Sequence, residues 1–209
     1  MVYPIAKYIV SAIIKPFRRK ITGLKNIPKD KTFILAVNHS SYIDHFLVLT
    51  PIIKYLDKKV HFLAKKEHFD NTMTKAWHSW AGAVPIDRKA GGKGALRWAI
   101  AALKKGKIIA IYPEGTRTLN GKLQQGKTGI AKLALAAKVP VLPIGLIGTF
   151  DILPKGQKIP NFKRSDMHIG KLMYFNKYYK KQEDYKTLKL ITTKIMKEIA
   201  KLSKQKYKF

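Results

Sequence analysis

The chain contains no cysteine. Disulfides, a thiolate nucleophile and thiolate metal sites are therefore excluded, and a reducing compartment is the simplest setting. Acidic residues are scarce: 12 Asp and Glu stand against 42 Lys and Arg, a formal net charge of +30. Such an imbalance repels itself and points to a polyanionic partner, whether nucleic acid, anionic lipid headgroups or an acidic carrier protein. A codon bias toward lysine would give the same surplus without a partner. Long apolar runs are missing too. A bilayer-spanning helix takes about 20 apolar residues, whereas the N-terminal run Val2–Ile14 is shorter and interrupted by Lys7. Its basic residues follow the apolar stretch, the reverse of a signal peptide. Ile5, Ile9, Ile13 and Phe17 recur at helical spacing. Residues 1–20 thus read as an amphipathic helix, either lying on an anionic membrane or packed on its own domain.

What is present is enough apolar content, 46%, to build one core in 209 residues. One domain over 21–209 is expected after the N-terminal segment 1–20. Apolar runs predict strands at Thr32–Val37, Lys59–Ala64, Gly82–Ile86, Lys107–Tyr112 and Val141–Ile147, with a sixth at Met167–Phe175. Helical spacing marks a segment beginning near Ser41, then Thr72–Trp80, Lys93–Lys105, Thr128–Lys138 and a lysine-faced Glu183–Lys204. Alternating strand and helix predicts an α/β fold, a largely parallel, mixed twisted sheet flanked by helices. Parallel strands would bring His39, Asp87-Arg88 and Glu114–Arg117 to one sheet edge, where open α/β sheets hold their ligands.

Three motifs carry chemistry. In Asn38–Phe46 a histidine follows a strand and an aspartate comes five positions later. His39 and Asp44 could form a base and its orienting carboxylate. Five residues along one helix turn through about 140°, so His39 must lie in the turn and Asp44 in the first helical turn. Ser41-x-x-Asp44 also reads as a plain capping box. In Tyr112–Thr118 the strand exit holds Glu114 and Arg117 three residues apart, a loop ion pair or a guanidinium for phosphate. Gly121–Thr128 satisfies the nucleotide-loop pattern G-x-x-x-x-G-K-T, but a long polar turn separates it from its strand. A nucleophile elbow, an H-E-x-x-H pair and a dinucleotide loop are all lacking, and the histidines show no metal-ligand spacing, so no metal is expected.

Taken together, His39-x4-Asp44 and Tyr-Pro-Glu-Gly-Thr-Arg-Thr at 112–118 resemble the glycerolipid acyltransferase family, whose type member is 1-acylglycerol-3-phosphate acyltransferase. Phe62–Glu67, Val84–Arg88, Glu114–Gly129 and Val139–Ile144 are similar to further blocks of that family, in its order, across roughly residues 30–150. Pro85 and Gln125 depart from the usual pattern. The resemblance implies that His39 is the general base and Asp44 its partner. It implies that Arg88, Arg117 and Lys127 hold an acceptor phosphate, and that Glu114 and Gly115 orient the acceptor or Arg117. Lys127 then belongs to the third block and not to a nucleotide loop. No cofactor is implied: acyl-CoA or acyl carrier protein would be the donor substrate and a lysophospholipid the acceptor. The expected location is the cytoplasmic face of an anionic membrane, peripheral or monotopic. Two readings from other classes stand beside this one, a basic nucleic-acid-binding protein and a nucleotide-loop NTPase.

Overall fold

Strands covered on both faces can be apolar at every position, and the centre of this sheet is built that way. The computed structural model describes Tyr3 and residues 6–87 and 92–209. Seven strands form one sheet: β1 (Arg18–Thr22), β2 (Ile34–Val37), β3 (Val60–Lys65), β4 (Ala83–Ile86), β5 (Ile108–Ile111), β6 (Val141–Ile147) and β7 (Ser165–Ile169). Their order is β1-β7-β6-β2-β5-β3-β4. β2 to β6 run parallel, β7 is antiparallel to β6, and β1 is parallel to β7. The α/β architecture with a largely parallel, mixed sheet is as the sequence predicts.

Alternate residues of β2 serve opposite layers. Ile34 and Ala36 pack beneath α4 (Lys93–Lys104), α5 (Gly129–Ala137) and α6 (Tyr185–Leu202). Phe33, Leu35 and Val37 pack beneath α2 (Asp44–Leu56). α1 (Ala6–Ile14) lies on α2, and α3 (Thr72–Trp80) lies beside β4. Lys7 is buried in the α1 contact and donates to Asp57 Oδ1 at 2.6 Å. α6 is docked through Leu188, Ile191, Ile195 and Ile199.

Three expectations shift. β1 had read as the basic end of the N-terminal helix. It is an edge strand running across residue 20, and Arg19 Nε pairs with Asp166 Oδ1 on β7 at 2.8 Å. The sixth predicted strand lies at Ser165–Ile169 and ends earlier, because the chain turns at Gly170 and only Met173 rejoins the sheet, bridging Val141. Ser41 does not cap α2 through its hydroxyl, which donates to Leu153 O at 2.8 Å. Only the reciprocal half of the capping box forms, with Ser41 N–H donating to Asp44 Oδ2 at 2.8 Å.

Candidate active site

β2 ends at Val37, and side-chain bonds control how the chain leaves it. Asn38 continues the ladder onto β6: its Nδ2 donates to Leu146 O at 3.1 Å and its Oδ1 accepts from Leu146 N at 2.7 Å. His39 follows. Its N–H donates to Glu114 Oε1 at 2.7 Å, and its carbonyl accepts from Thr118 N at 3.0 Å. Both main-chain groups of His39 are thus held by the loop leaving β5. Its side chain meets Asp44, with Nδ1 2.9 Å from Oδ2. The same Oδ2 accepts the N–H groups of Ser40 and Ser41, each at 2.8 Å. Asp44 is fully buried. A carboxylate at Nδ1 selects the tautomer that leaves Nε2 as the basic nitrogen.

Two residues given no role from the sequence complete the surroundings of His39. The Tyr112 ring stacks on the imidazole, centroids 3.8 Å apart and planes at 18°. Tyr112 Oη lies 3.1 Å from His45 Nδ1. Burial, with a smaller contribution from Asp44, pushes the Tyr112 phenol well above its ordinary range, so it stays a neutral wall against the imidazole. An aromatic at a strand exit was visible in the sequence; its partner, two elements away, was not.

Glu114 is buried beneath this turn. Oε1 takes His39 N–H, and Oε2 takes Gln124 N–H at 2.8 Å. Its bonds go to the backbone N–H groups of His39 and Gln124, which places Glu114 as a tie between the His39 turn and the loop after β5. Burial pushes its carboxyl up to about 7, against the pull of the two N–H bonds. Gly115 has φ +73°, and a Cβ there would lie 3.0 Å from Lys127 Cε. The absent side chain is what lets the Lys127 stem cross the loop. Arg117 lies flat on Tyr42, its guanidinium carbon 3.3 Å from the ring centre. Arg117 Nη1 is buried with no hydrogen-bond partner among the described residues. Arg88 falls outside the described residues.

The nucleotide-loop reading of 121–128 fails on its backbone. A phosphate cradle needs free N–H groups. Here Leu123 N–H donates to Gln205 Oε1, Gln124 to Glu114, Gly126 to Tyr207 Oη and Lys127 to Pro113 O. The N–H groups of Ser40 and Ser41 are likewise committed to Asp44, so neither is available as an oxyanion donor.

His39, Gly115, Arg117 and Lys127 line one cavity of about 680 Å³. Its walls are otherwise largely apolar and include Phe46, Leu49 and Ile53 of α2, Phe62 of β3 and Leu133 of α5. An imidazole held by a buried carboxylate, two cations and an apolar chamber suit transfer of a hydrophobic group to an anionic acceptor. The sequence model of the family described as Acyltransferase matches residues 18–147. The chain belongs to the acyltransferase family. It is an enzyme, similar to the 1-acyl-sn-glycerol-3-phosphate acyltransferase of Bacillus subtilis, 32% identical over 66% of this chain and 68% of that protein. A chloroplast 1-acyl-sn-glycerol-3-phosphate acyltransferase of Arabidopsis thaliana is 34% identical over 74% of this chain and 43% of its own length. The crystal structure of a 1-acyl-sn-glycerophosphate acyltransferase from Thermotoga maritima superposes with a TM-score of 0.70 at 27% identity. That superposition covers 97% of this chain and 83% of that one. None of the helices among the described residues is long and apolar enough to cross a membrane.

Proposed function

We propose that the enzyme moves a fatty acyl chain from a thioester, acyl-CoA or acyl carrier protein, to the free hydroxyl of a lysophospholipid. The acceptor is 1-acylglycerol-3-phosphate and the product phosphatidic acid. The observation that carries this is the His39–Asp44 pair facing a cavity that also holds Arg117 and Lys127. His39 Nε2 removes the hydroxyl proton as that oxygen attacks the thioester carbonyl. Asp44 fixes the imidazole and stabilises it once charged. The tetrahedral intermediate collapses to the ester, the C–S bond breaks, and the imidazolium returns its proton to the leaving thiolate. No acyl-enzyme forms and no cofactor is needed. Arg117 and Lys127, with Arg88, bind the acceptor phosphate. The apolar wall takes acyl chains.

The acceptor and product are membrane lipids, and the enzyme attaches peripherally to the cytoplasmic face of an anionic membrane. Support comes from the +30 charge and from Tyr8, Ile9 and Ile13, which α1 leaves exposed. The deciding assay follows label from acyl-CoA, and separately from acyl carrier protein, into phosphatidic acid. His39→Ala is expected to reduce turnover at least about 10²-fold; unchanged turnover would remove the mechanism.

A further inference from the structure

Between β6 and β7 the chain makes a long excursion, Gly148 to Arg164, with a fixed base and an exposed tip. At the base, Ile152 is fully buried against Ile14, Ile43 and Leu47. The Leu153 carbonyl accepts from Tyr42 N–H at 3.0 Å and from Ser41 Oγ at 2.8 Å. Asn161 closes the loop, donating from N–H to Ile152 O at 2.8 Å and from Nδ2 to Asp151 O at 3.0 Å. At the tip every residue from 158 to 164 is exposed, with Ile159 at 77% and Phe162 at 91%. A loop tied this firmly does not leave a phenylalanine outside by slackness.

One ring contact joins the loop tip to the end of α1. The Phe162 ring stacks on Phe17, centroids 6.0 Å apart. Phe17 is half-buried against Ile14, Ile43, Leu47 and Ile152, just past the end of α1, whose Ile9 and Ile13 are exposed. Single exposed apolar residues are ordinary, but a firmly held loop that presents Ile159 and Phe162 outward, linked by a ring stack to the end of α1, marks a partner. Charge identifies its kind. Residues 154–164 contain Lys155, Lys158, Lys163 and Arg164 and no acid; residues 15–20 contain Lys15, Arg18, Arg19 and Lys20 and no acid. Arg19 is engaged by Asp166, and Asp151 stands at the base of the loop. Apolar side chains among cations match the headgroup boundary of an anionic bilayer, with the rings in the acyl region and the lysines at the phosphates.

We propose that the 155–164 loop is a second membrane anchor, inserting Ile159 and Phe162 beside the outer face of α1. This rests on the membrane attachment proposed above and extends it to a segment 140 residues away in sequence from α1. Because Leu153 is bonded to the turn between His39 and Asp44, the anchor also sets the height of that turn above the lipid.

The absence of cysteine makes the test clean. Phe162→Cys and, on the opposite face of the sheet, Lys104→Cys each give a single site for an environment-sensitive fluorophore. With vesicles of equal phosphatidylglycerol and phosphatidylcholine, the label at 162 is expected to shift to the blue and the label at 104 to stay unchanged. Ile159→Glu with Phe162→Glu is expected to lower vesicle partitioning about tenfold or more, while turnover of a short-chain, monomeric lysophosphatidate is kept. If the unaltered chain does not partition at all, the attachment itself is wrong. If it partitions but the label at 162 is silent and the double variant binds as tightly, the loop is no anchor and attachment through α1 stands. If the double variant loses soluble turnover through its link to Leu153, the label at 162 alone decides.

Discussion

At the scale of single residues, the contact between His39 and Asp44 was legible because one short peptide carries both. His39 and Asp44 are five positions apart, and a strand-turn-helix geometry suffices to join them at 2.9 Å. The cations were legible through the motif blocks at 84–88 and 114–129. Arg117 could be named, but the side chain that aims it could not, because Tyr42 is 75 positions away in sequence. A guanidinium stacked on an aromatic face gains about 0.5–2 kcal/mol. With Nη1 unpaired among the described residues, Tyr42 would, on the proposed function, hold a donor toward the acceptor phosphate. Tyr42→Leu should raise KM for lysophosphatidate roughly threefold to tenfold and change kcat less than about twofold, the signature of lost uniform binding. Tyr42→Phe keeps the ring and should restore KM. Steady-state kinetics on the three proteins would show it; a kcat loss at constant KM would assign Tyr42 another role.

At the scale of elements, Glu114 ties the exit of β2 to the loop after β5. Its carboxyl ordinarily titrates near 4.5, and burial pushes it to about 7. Between those values the folded chain holds a proton that the unfolded chain has released. The contribution is therefore full below about 4.5 and is lost as pH rises through 7. Its size is about 3 kcal/mol, at roughly 1.4 kcal/mol per pH unit. Thermal unfolding from about pH 5 to pH 8 should show a falling midpoint in the wild type and a flatter one in Glu114→Gln. A wild-type midpoint that does not move would refute this account. Other element-level facts were equally hidden. Arg18–Thr22 looked like a basic tail because an edge strand with only partial burial shows no clear alternation; its pairing with β7 is what makes it a strand. Gly145 lies within β6, and the sequence reading of Val141–Ile147 as a strand assigns it no special part. A Cβ there would sit 2.4 Å from the α6 backbone at Leu202 and Ser203, so the glycine is where the last helix seats on the sheet.

At the scale of the whole molecule, the proposed membrane attachment combines the charge with the apolar outer face of α1 and the 155–164 loop. Screening shortens to about 10 Å at 0.1 M salt and about 3 Å at 1 M, while the apolar contribution is insensitive to that change. Partitioning onto phosphatidylglycerol vesicles should therefore fall about tenfold or more between 0.1 and 0.5 M salt, as several lysines each lose up to about 1 kcal/mol. Binding to neutral phosphatidylcholine should be weak at both. Co-sedimentation would measure this, and equal binding to both lipids would count against electrostatic docking.

The sequence by itself determined the α/β class, the central strands and the pairing of His39 with Asp44. Periodicity, apolar runs and short-range spacing are local properties, written in consecutive residues. The tertiary structure alone decided what surrounds them. It gave Glu114 to the backbone of His39, laid Tyr112 on the imidazole and Arg117 on Tyr42, and spent the N–H groups of the apparent nucleotide loop on other partners. It also brought Phe162 to Phe17. Each of these contacts joins residues that no local pattern relates, and only the sheet order and the packing of helices on it bring them within bonding distance.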